Sequence, residues 1–261
     1  MSRTELRELL TGLAKQYPAH LVQGQLEDIP RIAFHIEYLL QACGSAHSAK
    51  PALCDLGGGI GLFSVGCAAA GCKRVVLIDD FRDRINQQQD DPVLSLHKKY
   101  GVEVLSRDVV AEGIADLGGG FDAITSFDSM EHWHHSPKKL FAQVVEALNP
   151  GGVFFLGGPN CVNARKRLTV PFGIGKWSSM ESWYEDEVFR AHVREPDVDD
   201  LHYIARDMKL VDVNILGRNW LGLSHRKRFV RMIAPFFDYP LRLNPSLCSD
   251  IYLVGKKREA V

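Results

Sequence analysis

Apolar and polar positions along this chain alternate between short apolar runs and longer stretches that carry a helical stripe. "ALCDL", "RVVLIDD", "VEVLSRD", "FDAITSF" and "GVFFLGG" are apolar runs, most of them with β-branched or aromatic residues, bounded by glycine, acid or turn residues. Each predicts a strand. Between them, "GLFSVGCAAAGC" reads as a helix closed by Gly71. "FRDRINQQQDDPVLSLHKKYG" is polar and partly helical, with Pro92 interrupting it. "SPKKLFAQVVEALNPGG" sets Leu140, Phe141, Val144, Val145 and Leu148 on one helical face and stops at Asn149-Pro150-Gly151. Strand and helix take turns, which predicts an α/β class: a doubly wound, mainly parallel sheet with helices on both faces.

The alternation then breaks. Residues 160–195 hold glycines, Trp177, Trp183, Tyr184 and the basic run Arg165, Lys166, Arg167, without a period. "EPDVDDLHYIARDMKL" predicts a helix with Pro196 in its first position, acids in its first turn and Lys209 near its end. "VDVNILG" and "DIYLVGKK" predict two more strands, separated by residues 218–248. The expected organisation is an N-terminal helical extension over 1–50 and one domain over 51–261. A lid, around 160–195, is inserted after the fifth strand.

Composition narrows the function classes. Acidic and basic residues number 32 and 31, so bulk charge offers nothing to a nucleic-acid backbone. The apolar fraction of 46% suits a globular protein, and no apolar run nears the ~20 residues of a membrane span. "MSRTELRELLTGLAKQYP" is amphipathic and carries acids, unlike a signal peptide. The six cysteines show no metal-ligand spacing, which points to a reducing, cytoplasmic compartment.

The most informative stretch is "LCDLGGGIG", which reads Asp55-x-Gly57-x-Gly59-x-Gly61 where a strand gives way to a helix. Glycines there permit a tight turn and close approach of a ligand. Asp79 closes the next strand, about 20 residues on, where a carboxylate accepts from ribose hydroxyls. Asp108 closes the third strand and can accept from an adenine amine. A dinucleotide fingerprint would need a small residue where Leu62 stands, and Asp55 is a poor neighbour for pyrophosphate. A carboxylate there suits an ammonium-bearing nucleoside without phosphate, such as S-adenosylmethionine.

With these motifs the chain resembles the class I S-adenosylmethionine-dependent methyltransferases. "DLGGGIG" is similar to their first motif, "VVLIDD" to the acid of their second strand, and "LSRD" to their adenine-side acid. The fourth strand, helix and "LNPGG" turn complete a likeness that covers residues 51–160. It implies a seven-stranded sheet whose last strand runs antiparallel. It also implies that Asp55, Gly57, Gly58 and Gly59 face the methionine part, and that Asp79 holds the ribose with Asp80 and Phe81 nearby. Asp108 and Val109 would face the adenine, and Ser126 would lie beside the cofactor.

In such folds the carboxyl end of the fourth strand faces the transferred methyl, and here it carries "FDSMEHWHHSP". Asp128, Glu131 and His132 stand at i, i+3 and i+4, so a helical turn would put them on one face. Three readings follow: His132 as general base or acceptor orienter with Glu131, a polar loop, or a magnesium or manganese site on Asp128, Glu131 and His132. The last resembles ubiquinone-pathway and small-RNA 2′-O-methyltransferases, which show glutamate where Asp128 stands. His134 and His135 are expected in solvent. In "FRAHVREP", His192 and Arg194 alternate and would share a face, with His192 as a further ligand or base, or in a surface ion pair with Glu195. Asn160 and Asn163 are expected near the acceptor.

"SHRKRFVRMIAPFFDYPLRL" mixes basic and apolar residues. Two readings stay open for 225–242: peripheral membrane contact, or packing on the sheet, with Pro235 and Pro240 preventing a long helix. The leading functional expectation is O-methylation of a hydroxyl on a sugar, glycan or other small molecule, by resemblance to bacterial glycan-associated enzymes. The alternatives are a non-catalytic adenosyl-ligand binding module and a nicotinamide-dependent oxidoreductase.

Overall fold

The structure is a computed structural model that describes residues 1–44, 50–81, 91–175, 178–223 and 227–259. Seven strands form one sheet: β1 (Ala52–Leu56), β2 (Arg74–Asp79), β3 (Val102–Ser106), β4 (Phe121–Phe127), β5 (Leu148–Pro159), β6 (Val211–Arg218) and β7 (Asp250–Lys256). Their order is β3-β2-β1-β4-β5-β7-β6. β1 pairs in parallel with β2 and β4, and β2 with β3. β7 is antiparallel to β5. Gly151 and Gly152 exchange amide and carbonyl bonds with Lys257, while Asn160 donates to Ser249, so the register descends along one strand as it climbs the other. The doubly wound sheet with its reversed final strand is therefore as expected.

Eleven α-helices occur among the described residues. α1 (Arg3–Ala14) and α2 (Ala19–Gly44) precede β1; α3 (Leu62–Ala69) follows it. α4 (Asp91–Lys99), α5 (Val109–Glu112) and α6 (Lys138–Ala147) fall between the next strands. α7 (Ala164–Thr169), α8 (Met180–Glu185) and α9 (Val198–Asp207) lie between β5 and β6, and α10 (Trp220–Leu223) and α11 (Arg228–Arg242) between β6 and β7. Pro92 opens α4 rather than interrupting a helix, because a first-turn proline has no amide to lose. Residues 82–90 of that polar stretch lie outside the described residues, as do Trp177 and Arg226. α9 begins two residues after Pro196: Asp197 caps it, in a reciprocal capping box with Asp200.

The chain divides into two compact units. The first comprises residues 1–126, 137–155 and 256–261, and holds β1, β2 and β3 with α1 to α6. Its helices close on one another through Gly66, where an added Cβ would lie 2.8 Å from both Leu10 and Ile36. Those two side chains are fully buried, as are Leu13 and Leu39. The second unit comprises 127–136 and 156–255, and holds β6 with α7 to α11. Its centre packs Gly157 directly under the Tyr252 ring, and Tyr252 accepts a bond from the Trp220 indole at 2.8 Å.

Candidate active site

The first unit gathers the predicted nucleoside-binding residues along the carboxyl ends of its strands. Asp55 pairs in register with Leu77 and with Thr125, one residue before Ser126, and Asp79 pairs with Ser106. Register thus places the ends of these four strands side by side, where open α/β sheets bind ligands. The turn after β1 needs its glycines. Gly57 and Gly59 have φ of 67° and 56°, and a Cβ on Gly58 would stand 2.1 Å from the Asp55 carboxylate.

Asp55 is buried, and its two oxygens accept from Ser64 Oγ at 2.7 Å and Thr125 Oγ1 at 2.8 Å. Burial raises its carboxyl to about 6, against the lowering pull of those two hydroxyls. The group therefore braces the glycine turn from beneath. Asp79 accepts from the Gly59 amide at 2.9 Å with one oxygen and from the Phe81 amide at 2.7 Å with the other. Phe81, buried and left-handed at φ 51°, turns the chain immediately after Asp79 and Asp80. Asp108 caps α5, taking the Val110 and Ala111 amides on Oδ1, and Val109 beside it is buried. Ser126 is fully buried, and its Oγ has no hydrogen-bond partner among the described residues. An orphaned hydroxyl at a strand end is what a bound ligand would satisfy.

The second unit contains the histidine chemistry. Past β4 the chain turns sharply at Asp128, with φ of 48°, and enters a 3-10 turn over Met130–His132. Glu131, His132 and His192 each offer one donor atom, and all three lie within 4.8 Å of one another. His192 thus takes the third place and Asp128 is not part of this group, because its left-handed backbone ends the helical spacing assumed for it. The Glu131 carbonyl accepts the amides of Val193 at 2.7 Å and Arg194 at 3.2 Å, which straps His192 against His132. The two imidazoles meet edge to face at 4.9 Å.

Both histidine tautomers can be read. His132 Nδ1 lies 2.8 Å from the Arg190 carbonyl, which can only accept, so Nδ1 carries a proton and in the neutral ring Nε2 carries the lone pair. His192 Nδ1 lies 2.7 Å from Glu195. Burial pushes the Glu195 carboxyl upward, but bonds from His192 and Lys166 overcome it and hold the group at about 2. Glu195 is therefore an anion that accepts from His192 Nδ1, and in the neutral ring the lone pair is then on Nε2. His192 and Arg194 do not share a role: Arg194 is exposed and pairs with Asp200 at 2.8 Å.

A cavity of about 750 Å3 in this unit is lined by His192, Val193, Phe189, Trp183, Met180 and His134 among others. That volume suits a small-molecule ligand. His134 and His135 are exposed, as expected, although His134 Nε2 donates to the Phe189 carbonyl at 3.1 Å. Three residues expected near the acceptor or in solvent have structural work instead. Asn160 is fully buried and donates to the carbonyls of Ser246 and Cys248, both at 2.9 Å. Asn163 caps α7 and donates to the Asn160 carbonyl. Lys166, from the basic run, is paired with Glu195. The pairing of His192 with Glu195 is one of the readings the sequence offers, whereas the Lys166 contact to Glu195 is not visible there, because folding brings those two residues together.

A mainly parallel sheet of this order, with β7 reversed and a glycine turn after β1, is the fold of the class I methyltransferases. Residues 30–225 match the family model described as a methyltransferase domain, and the chain belongs to that family. Among solved structures it is similar to a phosphoethanolamine N-methyltransferase 2 of Haemonchus contortus in complex with S-adenosyl-L-methionine. The TM-score is 0.54 at 15% identity, with 86% of this chain and 52% of that one covered. The chain thus spans about half the length of that protein. A SAM dependent methyltransferase of Archaeoglobus fulgidus gives 0.54 at 15% identity, covering 87% and 92%. Magnesium protoporphyrin IX methyltransferase of Synechocystis with bound SAH gives 0.52 at 13%, covering 87% and 82%. At these identities the likeness is one of fold. No curated protein matches the chain by sequence.

Proposed function

We propose that this protein transfers a methyl group from S-adenosylmethionine to a hydroxyl of a small-molecule or sugar acceptor. The observation that carries the donor is Asp79: a carboxylate at the end of β2, oriented by the Gly59 and Phe81 amides beside the glycine turn, where open α/β sheets present an acid to a ribose. The Ser126 hydroxyl supports the same reading, and so does the Asp55 carboxyl under the turn, which suits an ammonium group better than a pyrophosphate. The donor brings an activated methyl, so the protein has to align the acceptor, exclude water and receive the acceptor's proton.

His132 is the residue for that proton. Its Nδ1 proton is engaged by Arg190, which leaves Nε2 as a base, and Glu131 and the His192 ring sit beside it. The apolar and aromatic wall of Met180, Trp183 and Phe189 next to His192 suits an acceptor with one flat face and one hydroxyl edge. Glu131, His132 and His192 also fit a divalent ion, which would lower the hydroxyl's pKa. Two imidazoles and one carboxylate favour manganese or another transition ion over magnesium.

The donor reading is tested by thermal shift and calorimetry. S-adenosylhomocysteine at 100 times its Kd is expected to add about 2.7 kcal/mol to stability, and NADH to add none. Asp79→Ala is expected to cost about 1.5–3 kcal/mol of donor affinity, since it removes charge-assisted hydrogen bonds. Stabilisation by NADH alone would refute the reading. The acceptor chemistry is tested with His132→Ala, expected to slow transfer about 10²–10⁴-fold at nearly unchanged donor affinity. Activity that survives a chelator assigns the proton to His132; activity lost to it and restored by manganese assigns the ion.

A further inference from the structure

Helix α11 carries a surface that the fold leaves uncovered. Apart from Met1, every exposed large apolar side chain among the described residues belongs to the second unit, and α11 contributes the most continuous set. Phe229, Met232, Phe236, Tyr239 and Leu243 recur at alternating steps of three and four, the last just past the helix end. At 100° per residue they occupy a stripe about 80° wide. All five face solvent, with between 62% and 78% of their surface exposed. The opposite face packs inward: Ala234 sits against Gly222 of α10, and Asp238 accepts from Asn219 at 2.9 Å. No residue of α11 is fully buried.

The charges beside the stripe say what covers it. Arg228, Arg231 and Arg242 line one flank. Asp238 is the sole acid of the helix; it lies on the packed side, held by Asn219 and Arg242. A second copy of α11 laid on this stripe would bring arginines against arginines with no acid to meet them, which is repulsive. Aromatic and Met side chains flanked by arginines instead match the boundary between lipid headgroups and acyl chains. Pro235 and Pro240 fit the same picture. They free the carbonyls of Arg231 and Phe236, which lie on the outward half of the helix and can hydrogen-bond to water at a bilayer surface. We propose that α11 is an interfacial helix that seats this protein on an anionic phospholipid surface. This inference does not depend on the methyl donor.

Co-sedimentation with lipid vesicles tests it on the full chain. Binding is expected to vesicles of phosphatidylcholine mixed with phosphatidylglycerol, to weaken in high salt, and to be slight with phosphatidylcholine alone. A basic residue close to an anionic surface is worth about fivefold in partitioning, so Arg228→Gln with Arg231→Gln should lower binding about 25-fold. Met232→Asp with Phe236→Asp should abolish it while circular dichroism and thermal unfolding stay unchanged, since both side chains point to water. Failure of the unaltered protein to bind anionic vesicles would overturn the proposal. So would binding that survives the double aspartate variant. A concentration-dependent dimer by light scattering, lost in that variant and unaccompanied by vesicle binding, would make the stripe an interface between copies instead.

Discussion

Asp55 illustrates how one side chain links the turn to the chemistry. Its carboxylate underlies the glycine turn, buried and bonded to Ser64 and Thr125. Burial raises its pKa from the ordinary carboxyl value to about 6. A carboxyl raised on folding contributes stability that is full below its unfolded pKa and is lost as pH rises through the folded value. The ligand-free protein is therefore expected to lose stability between about pH 4 and pH 6 through this group, by on the order of 3 kcal/mol for a shift near two units. Asp55→Asn should flatten that part of the curve, as read by urea unfolding at each pH. An identical slope in the variant would mean that Asp55 is already ionised at acid pH.

At the scale of elements, Asn160 does the most with one side chain. It lies just beyond β5 and donates to the carbonyls of Ser246 and Cys248, on the approach to β7, while its own oxygen takes the Val162 amide. Asn160→Ala would leave buried carbonyls without donors, at a cost of about 1–3 kcal/mol for each unmet group. Chemical denaturation should show a lower midpoint at an unchanged slope. Periodicity foretold every strand and the helix over 138–147, since apolar pattern and turn residues are local signals. It misjudged the prolines. Pro92 starts a helix, where it has no amide bond to lose, and α11 runs through Pro235 and Pro240, whose freed carbonyls lie on an exposed face.

For the whole molecule, burial is uneven. β1 is buried throughout, whereas α7, α8 and α11 have no buried residue. Local opening costs little free energy where few apolar contacts are lost. Hydrogen exchange should therefore be slowest over 52–56 and fastest over 164–169 and 180–185. Full protection of α8 in the free protein would count against this order.

Some properties of this protein were decided by its sequence alone. The alternating strands and helices, the glycine turn and the acids of β1 to β3 follow from residue type and spacing, because each depends on neighbours along the chain. Tertiary structure decided the rest. His192 joins Glu131 and His132 from far along the chain through two amides on one carbonyl, and Asp128, adjacent in sequence, does not. Asn160 and Lys166 become structural through partners that spacing cannot reveal. The apolar stripe of α11 reads identically in sequence whether it packs or faces water. Which face of an amphipathic helix is covered depends on the surface it meets, and that surface is assembled from residues remote in the chain.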